Sequence, residues 1–105
     1  MLVHCVLFQI KESASPEAIK TLGEAFLGMK AHIPAIRSVA WYANTGPAAR
    51  SQGFNHMLRV TFDGQEELAL YATHPHHVST CQEYLFPLLA KNPQESVVIF
   101  DHSGD

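Results

Sequence analysis

Hydrophobic residues alternate with other residues in four segments of the chain, and this spacing predicts four β-strands over residues 2–10, 36–44, 54–62 and 96–101. The first segment is apolar on both faces. One face carries His4, Val6, Phe8 and Ile10, and the other carries Val3, Cys5, Leu7 and Gln9. An antiparallel sheet of a small domain usually leaves one face to water, so the second face of this strand is also expected to be covered.

A first helix is predicted after Ser15-Pro16, because serine caps helix N-termini and proline fits the first helical position. Apolar residues then recur at spacings of three and four, which is typical of an amphipathic helix. They are Ile19, Leu22, Phe26 and Met29. We expect this helix to end at residues 32–34 and a polar loop to occupy residues 45–53.

The second helical region is predicted to break in the middle. Asp63 and Glu66 have the spacing of a capping box that opens a short helix holding Tyr71. Pro75 disfavours a helical conformation at His74, so one helix ends there and another begins with Pro75. The new helix is expected to bury one stripe, made of His77, Thr80, Cys81, Tyr84, Leu85 and Leu88, and to turn His76, Ser79 and Glu83 to the polar side.

The order β-α-β-β-α-β is that of a ferredoxin-like α+β sandwich, and the 105 residues have room for one domain, 1–105. Such a small domain buries only about 65% of its unfolded surface, so burial against a second copy would stabilise it. We therefore expect a homodimer that buries the strand face of Val3, Cys5 and Leu7.

Composition excludes several classes of partner. Lys and Arg number 7 and Asp and Glu 10, which gives a net charge of −3 without a basic cluster, so neither nucleic acid nor an acidic membrane is expected as a partner. The apolar stretch 2–8 is too short to span a bilayer and lacks the flanks of a secretory signal. Cys5 and Cys81 suggest no disulfide framework, which favours a cytoplasmic protein.

Three of the seven histidines fall on apolar positions, and we expect them to meet in one layer: His4, His56 and His77. Buried imidazoles need hydrogen-bond partners, and Tyr71 is the expected partner of His77. The third position of a helix favours a neutral imidazole, which is the form a general base requires. The alternative is that these histidines are structural core residues. His74 is expected to cap a helix, and His76 to be solvated.

Other chemistries have weaker support in the sequence. The HPHH segment, residues 74–77, lacks an HExxH frame, so no metal site is predicted. No phosphate-binding glycine loop, Rossmann fingerprint or GxSxG elbow is present, and no cofactor is expected. Cys5 faces away from His4 and is expected to be structural. Cys81 lies four residues after His77, which is a weak indication of a nucleophile.

Five segments together resemble the stress-responsive A/B barrel (Dabb) family across nearly the whole chain. They are HCVLF (4–8), IPAIRSV (33–39), GFNHMLRVTF (53–62), the Y-x-x-H-P-x-H pattern (71–77) and VVIFD (97–101). The resemblance implies a dimeric α+β barrel, in which the sheets of two copies meet and the helices lie outside.

One branch of that family contains the plant olivetolic acid cyclase, which closes a linear polyketide by aldol condensation without metal or organic cofactor. By position, the resemblance implies that His77 is the catalytic histidine, Tyr71 its partner and His4 a pocket histidine. Phe26 stands where that cyclase has a tyrosine. The implied substrate-binding wall is Val6, Phe8, Phe26, Leu58, Val97 and Ile99.

These expectations combine into two hypotheses. In the first, a homodimer with an apolar pocket performs cofactor-independent, cyclase- or lyase-type acid–base chemistry on a small carbonyl or polyketide-like compound, with His77, Tyr71 and His4 as catalytic residues. In the second, a stress-related homodimer has no catalytic role, its histidines are structural and its pocket is too small for a ligand. A cofactor-free monooxygenase is a third reading that no residue singles out.

Overall fold

Four antiparallel strands form one sheet in the computed structural model, which describes residues 1–104. The strands are β1 (Leu2–Phe8), β2 (Ser38–Ala43), β3 (His56–Phe62) and β4 (Val97–Ser103). Their order in the sheet is β2-β3-β1-β4, so β1 and β3 are central and β2 and β4 form the edges. This topology confirms the predicted ferredoxin-like α+β fold.

Within residues 1–104, five helices accompany the sheet: α1 (Pro16–Gly28), α2 (Ala48–Ser51), α3 (Gln65–Thr73), α4 (Pro75–Thr80) and α5 (Pro93–Ser96). A 3₁₀ turn, Met29–Ala31, follows α1. A π-helical turn, Cys81–Leu85, and a 3₁₀ turn, Phe86–Leu88, continue the chain after α4. None of the helices within residues 1–104 has the length and apolar character needed to cross a membrane.

Helix α1 begins as the sequence predicted. The Ser15 hydroxyl accepts a hydrogen bond from the amide of Ala18, and Pro16 occupies the first turn. The buried face of α1 lies so close to β2 that a Cβ atom built on Gly23 would be 2.6 Å from Cδ1 of Trp41. Real Cβ atoms do not approach other atoms so closely, so glycine is needed at this crossing.

The start of α3 differs from the prediction. Gly64 occupies the N-cap position without any side-chain hydrogen bond, so the predicted capping box of Asp63 and Glu66 is wrong. The Asp63 carboxylate instead accepts a hydrogen bond from Nη1 of Arg37 at 3.1 Å. Its pairing with a different segment removes it from the helix end.

The break between α3 and α4 follows the prediction. His74 is extended, and its Nδ1 accepts a hydrogen bond from the amide of His76 at 3.0 Å, so His74 caps α4. Two details were not predicted. The loop 45–53 contains the short helix α2, and the helix after Pro75 widens into the π-helical turn from Cys81 onwards.

The sheet has two unlike faces. The helices cover the face that carries His4, Val6 and Phe8, where the core of the molecule lies. Strand alternation and register place a mainly apolar set on the opposite face, here called the far face. Its apolar members are Cys5, Leu7, Ala40, Tyr42, Met57, Val98 and Phe100.

Val3 also points to the far face but is already buried within a single chain. The amide of Gly104 donates a hydrogen bond to the carbonyl of Met1, and this brings the end of the chain over Val3. The predicted interface of Val3, Cys5 and Leu7 therefore needs correction, since Val3 is not available to a partner.

Candidate functional site

A cavity of about 420 Å³ lies between the helix-covered face of the sheet and the chain from α3 to the 3₁₀ turn. Apart from His56, it brings together the residues that the sequence indicated for the site: His4, Val6, Phe8, Phe26, Leu58, Tyr71, His77, Val97 and Ile99. The wall also contains residues that the sequence analysis did not assign to it, namely Leu68, Ala72, Cys81, Leu85, Phe86, Pro93 and Gln94. The catalytic or binding roles of these residues remain predictions.

His77 is held in one tautomer by its backbone contact. Its Nδ1 lies 3.1 Å from the carbonyl oxygen of Ala72, and a carbonyl only accepts, so Nδ1 carries the proton. Its Nε2 therefore has a free lone pair and lies 3.5 Å from Sγ of Cys81. Burial lowers the pKa of His77 below 6.5, the contact with Ala72 opposes this, and His4 and His74 lower it further. The imidazole is thus mainly neutral at pH 7.

Tyr71 contacts His77 through its ring. The two ring centroids are 4.1 Å apart and tilted by 36°, so the expected hydrogen bond between these residues is replaced by ring packing. Tyr71 is only 2% exposed, and burial raises the pKa of its phenol, which stays protonated at neutral pH. The Tyr71 hydroxyl has no hydrogen-bond partner within residues 1–104. Every side-chain polar atom of these residues that is sealed from solvent does have a partner. The hydroxyl is therefore not sealed, and it is accessible from the cavity that Tyr71 lines.

The ring of His4 also packs against that of Tyr71. Its ring centroid is 6.0 Å from that of Tyr71 in an edge-to-face arrangement. Nδ1 of His4 lies 2.5 Å from the carboxylate of Asp101 on β4, which fixes the orientation of the ring. Asp101 was not among the predicted site residues. The alternation of Val97, Ile99 and Asp101 on one face of β4 was a signal that could have placed it beside the cavity.

Cys81 lies beside His77, as its position four residues later on the helix predicts. Its amide donates a hydrogen bond to the carbonyl of His77, and this helical spacing brings Sγ next to the imidazole, so that both side chains line the cavity. Burial raises the pKa of the Cys81 thiol to about 11, so the thiol is protonated at rest.

His56 does not join the other two pocket histidines, so the prediction that all three meet is wrong. The register pairs His4 with Val60 and His56 with Phe8, which separates the two histidines by four residues along the sheet, or roughly 13 Å. His56 instead stacks on Trp41 with a centroid distance of 5.2 Å and bonds to Asn55. It lines a separate, more polar depression of about 560 Å³ that includes Arg50.

The remaining histidines lie outside the cavity. His76, expected to be solvated, is half-buried because its ring stacks on that of His32 at 4.1 Å. Within residues 1–104, no three His, Cys, Asp or Glu side chains are grouped so that they could hold a metal ion.

Two curated relatives are similar along most of their length. The stress-response A/B barrel domain-containing protein HS1 of Arabidopsis thaliana is 26% identical over 99 residues, covering 94% of this chain and 85% of the relative. Olivetolic acid cyclase of Cannabis sativa is 23% identical over 100 residues, covering 95% and 93%.

Solved structures share the fold. A protein of Arabidopsis thaliana superposes with a TM-score of 0.86 at 26% identity, covering 100% of this chain and 96% of the other. A dimeric protein with a ferredoxin-like fold from Bacteroides fragilis gives 0.77 at 26% identity, covering 98% and 95%. The hydroxynitrile lyase of Passiflora edulis gives 0.80 at 21% identity, covering 96% and 90%.

The shared fold agrees with the antiparallel four-stranded sheet of this chain. The family description "Stress responsive A/B Barrel Domain" matches residues 2–103. The chain therefore belongs to the stress-responsive A/B barrel (Dabb) family.

Proposed function

We propose that this protein is a homodimer whose subunits each use the cavity beside His77 for cofactor-independent acid–base chemistry on a small, neutral carbonyl compound. The observation that carries the proposal is that three neighbouring rings, those of His77, Tyr71 and His4, line one cavity. The ring of His77 lies 4.1 Å from that of Tyr71, and the ring of Tyr71 lies 6.0 Å from that of His4.

In the proposed reaction, His77 is the base. Its Nε2 takes a proton from the carbon beside one carbonyl group of the substrate, and that carbon then bonds to a second carbonyl carbon. The proton returns to the oxygen of the second carbonyl, and loss of water completes a ring closure. A correctly placed imidazole base contributes about 10²–10⁴-fold in rate.

Tyr71 supplies a hydrogen-bond donor in this proposal. Its phenol stays protonated, and its hydroxyl is free to bind the carbonyl oxygen on which negative charge develops. His4, whose ring is oriented by Asp101, packs against Tyr71 and lines the same cavity. A ligand has to displace the Cys81 thiol from Nε2 of His77 before proton transfer, and a thiol is a weak enough donor to be displaced.

The lining sets the class of substrate. No lysine, arginine or carboxylate of the described chain lines the cavity, so a charged substrate would lose its hydration without gaining a partner. A neutral compound with an apolar tail fits this wall. The similarity to olivetolic acid cyclase of Cannabis sativa supports ring closure as the reaction type.

The far face supports the dimer, because its apolar side chains are left uncovered by the helices and a solved relative with this fold is dimeric. Both cysteines are free thiols, which supports a reducing compartment such as the cytoplasm.

The test uses a linear diketone with three methylene groups between its carbonyls and an alkyl tail at one end. We expect the protein to accelerate its closure to a cyclohexenone, followed by absorbance, and His77→Gln to lose at least about 10²-fold. The matched control is His32→Gln, an exposed position after α1 that lies outside the cavity, which should close the ring at the unaltered rate. Equal rates in the wild type and His77→Gln would contradict the proposal.

A second candidate, a non-catalytic homodimer with structural histidines, is favoured by one observation. Both nitrogens of His77 have neighbours within the chain, and His4 is paired with Asp101. That hypothesis also predicted a pocket too small for a ligand, whereas the cavity measures about 420 Å³. It predicts that His77→Gln lowers the free energy of unfolding and that neither the wild type nor the variant converts the diketone.

A further inference from the structure

We infer that Cys81 is a site of covalent capture for neutral α,β-unsaturated ketones that enter the cavity. Its Sγ lies 3.5 Å from Nε2 of His77, the nitrogen that carries the free lone pair, and both side chains line the same apolar space. This activity is separate from the proposed ring closure, since it consumes the thiol and needs no turnover.

Three groups are arranged for the addition. The Tyr71 hydroxyl, accessible from the cavity and without a partner in the described chain, is placed to bind the ketone oxygen. Tyr71 and Cys81 are close enough for a thiolate to raise the pKa of the phenol. Nε2 of His77 is placed to receive the thiol proton. A nucleophile, its base and a donor for the developing oxyanion therefore surround one space.

The step balances without another reactant. The Cys81 sulfur forms a bond to the β-carbon of the ketone while the carbon–carbon double bond breaks and its electrons move onto the oxygen held by Tyr71. The thiol proton moves to Nε2 of His77 and from there to the α-carbon. The product is a thioether, and neither oxidation nor reduction occurs.

The raised pKa of the Cys81 thiol slows its reaction less than the loss of thiolate alone would suggest. Burial raises its pKa to about 11, which leaves little free thiolate near pH 7. Thiolate nucleophilicity rises with pKa, with a Brønsted coefficient of about 0.4–0.5, so each unit of raised pKa slows the reaction by roughly half a decade and not by a full one. Proton transfer to His77 within the addition removes the need for a preformed thiolate.

Cys5 is an internal control for this reaction. It lies on the far face of the sheet, paired with Arg59 and Phe100, and outside the cavity. Because the proposed dimer would also cover Cys5, the gain from the cavity is measured at Cys81 itself, by comparing an apolar probe with one too small to fill the cavity.

The experiment treats the full-length protein with pentyl vinyl ketone, and in parallel with methyl vinyl ketone, and locates the adduct by intact mass and peptide mapping. Relative to the rate of each ketone with free cysteine, we expect pentyl vinyl ketone to modify Cys81 faster than methyl vinyl ketone does. Cys5→Ser should leave the adduct unchanged and Cys81→Ser should abolish it. Exclusive modification of Cys5, or an unmodified Cys81, would overturn the inference.

The pH profile tests the role of His77. In the wild type, the alkylation rate of Cys81 should rise as His77 loses its proton below pH 6.5 and then level off near neutrality. In His77→Gln it should be about 10²-fold slower at pH 7 and should keep rising with pH towards the thiol pKa of about 11. Tyr71→Phe, a second variant, should slow the reaction without changing the profile. Identical profiles in the wild type and His77→Gln would refute base assistance, whether or not ring closure is observed.

Discussion

At the scale of single residues, the pair of His4 with Asp101 is more buried than the pair of Arg37 with Asp63. His4 is buried, and its Nδ1 proton is donated to the Asp101 carboxylate. Replacement of Asp101 by alanine leaves this donor without a partner, which should lower the free energy of unfolding by about 1–3 kcal/mol. Urea denaturation measures the change.

Asp63→Ala is the matched control, because it also removes one carboxylate from an ion pair. Its pair with Arg37 is exposed on both sides, with side-chain exposures of 71% and 53%, and such pairs contribute at most about 1 kcal/mol. Equal losses in the two variants would show that the partner of His4 is replaceable by water.

The lowered pKa of His77 predicts how stability depends on pH. Because the folded pKa lies below 6.5, the unfolded chain binds a proton at this site before the folded protein does. The free energy of unfolding should therefore be greatest above pH 6.5 and fall as the pH drops through the folded pKa. In His77→Gln this contribution is absent, so unfolding curves at several pH values should show a shallower fall.

Sequence reasoning located the site residues better than their contacts. Periodicity put His4, Tyr71 and His77 on inward positions, and the cavity contains all three. It could not supply strand register, which separates His56 from His4 and brings Asp101 to it. Register depends on how the whole sheet pairs, and a local pattern does not encode that.

At the scale of elements, caps that act within a few residues were more predictable than contacts between segments. Ser15 and His74 cap their helices as expected, since each reaches an amide two or three residues away. Asp63 does not, because Arg37 from another part of the chain binds it. The π-helical turn after α4 had no signal in the spacing of apolar residues, whereas the four-residue spacing that places Cys81 beside His77 could be read from the sequence.

The crossing of α1 over β2 yields an element-scale prediction. Alanine at Gly23 would put a Cβ atom 2.6 Å from the Trp41 ring, which packs against Phe26 and His56. Overpacking costs about 1–3 kcal/mol, more than the roughly 1 kcal/mol that alanine gains over glycine in a helix. Gly23→Ala should therefore be destabilised and should shift the emission of Trp41, the only tryptophan.

Gly28→Ala is the control at the end of the same helix. A Cβ atom there would have nothing within 4 Å, and the backbone is in the right-handed helical region. This variant should be unchanged or stabilised by up to about 1 kcal/mol. Loss of stability in both variants would mean that helix flexibility, and not the contact with Trp41, explains the glycine at position 23.

At the scale of the whole molecule, the far face is the surface that a single chain does not bury. Phe100 is 65% exposed and lies beside Cys5 in the register, and Leu7 is paired with Val98 on one side and Met57 on the other. A continuous apolar surface of this kind on a sheet is typical of an interface between subunits.

We therefore expect light scattering to give twice the monomer mass for the wild type and the monomer mass for Phe100→Glu, because the dimer would bury an unpaired carboxylate. Leu70→Glu is the matched control: Leu70 is 62% exposed, but it lies on α3, away from the far face, and its variant should remain dimeric. Since Phe100 is outside the core, the variant monomer should keep its secondary structure. A Phe100→Glu protein that still has the dimer mass would exclude the far face as the interface.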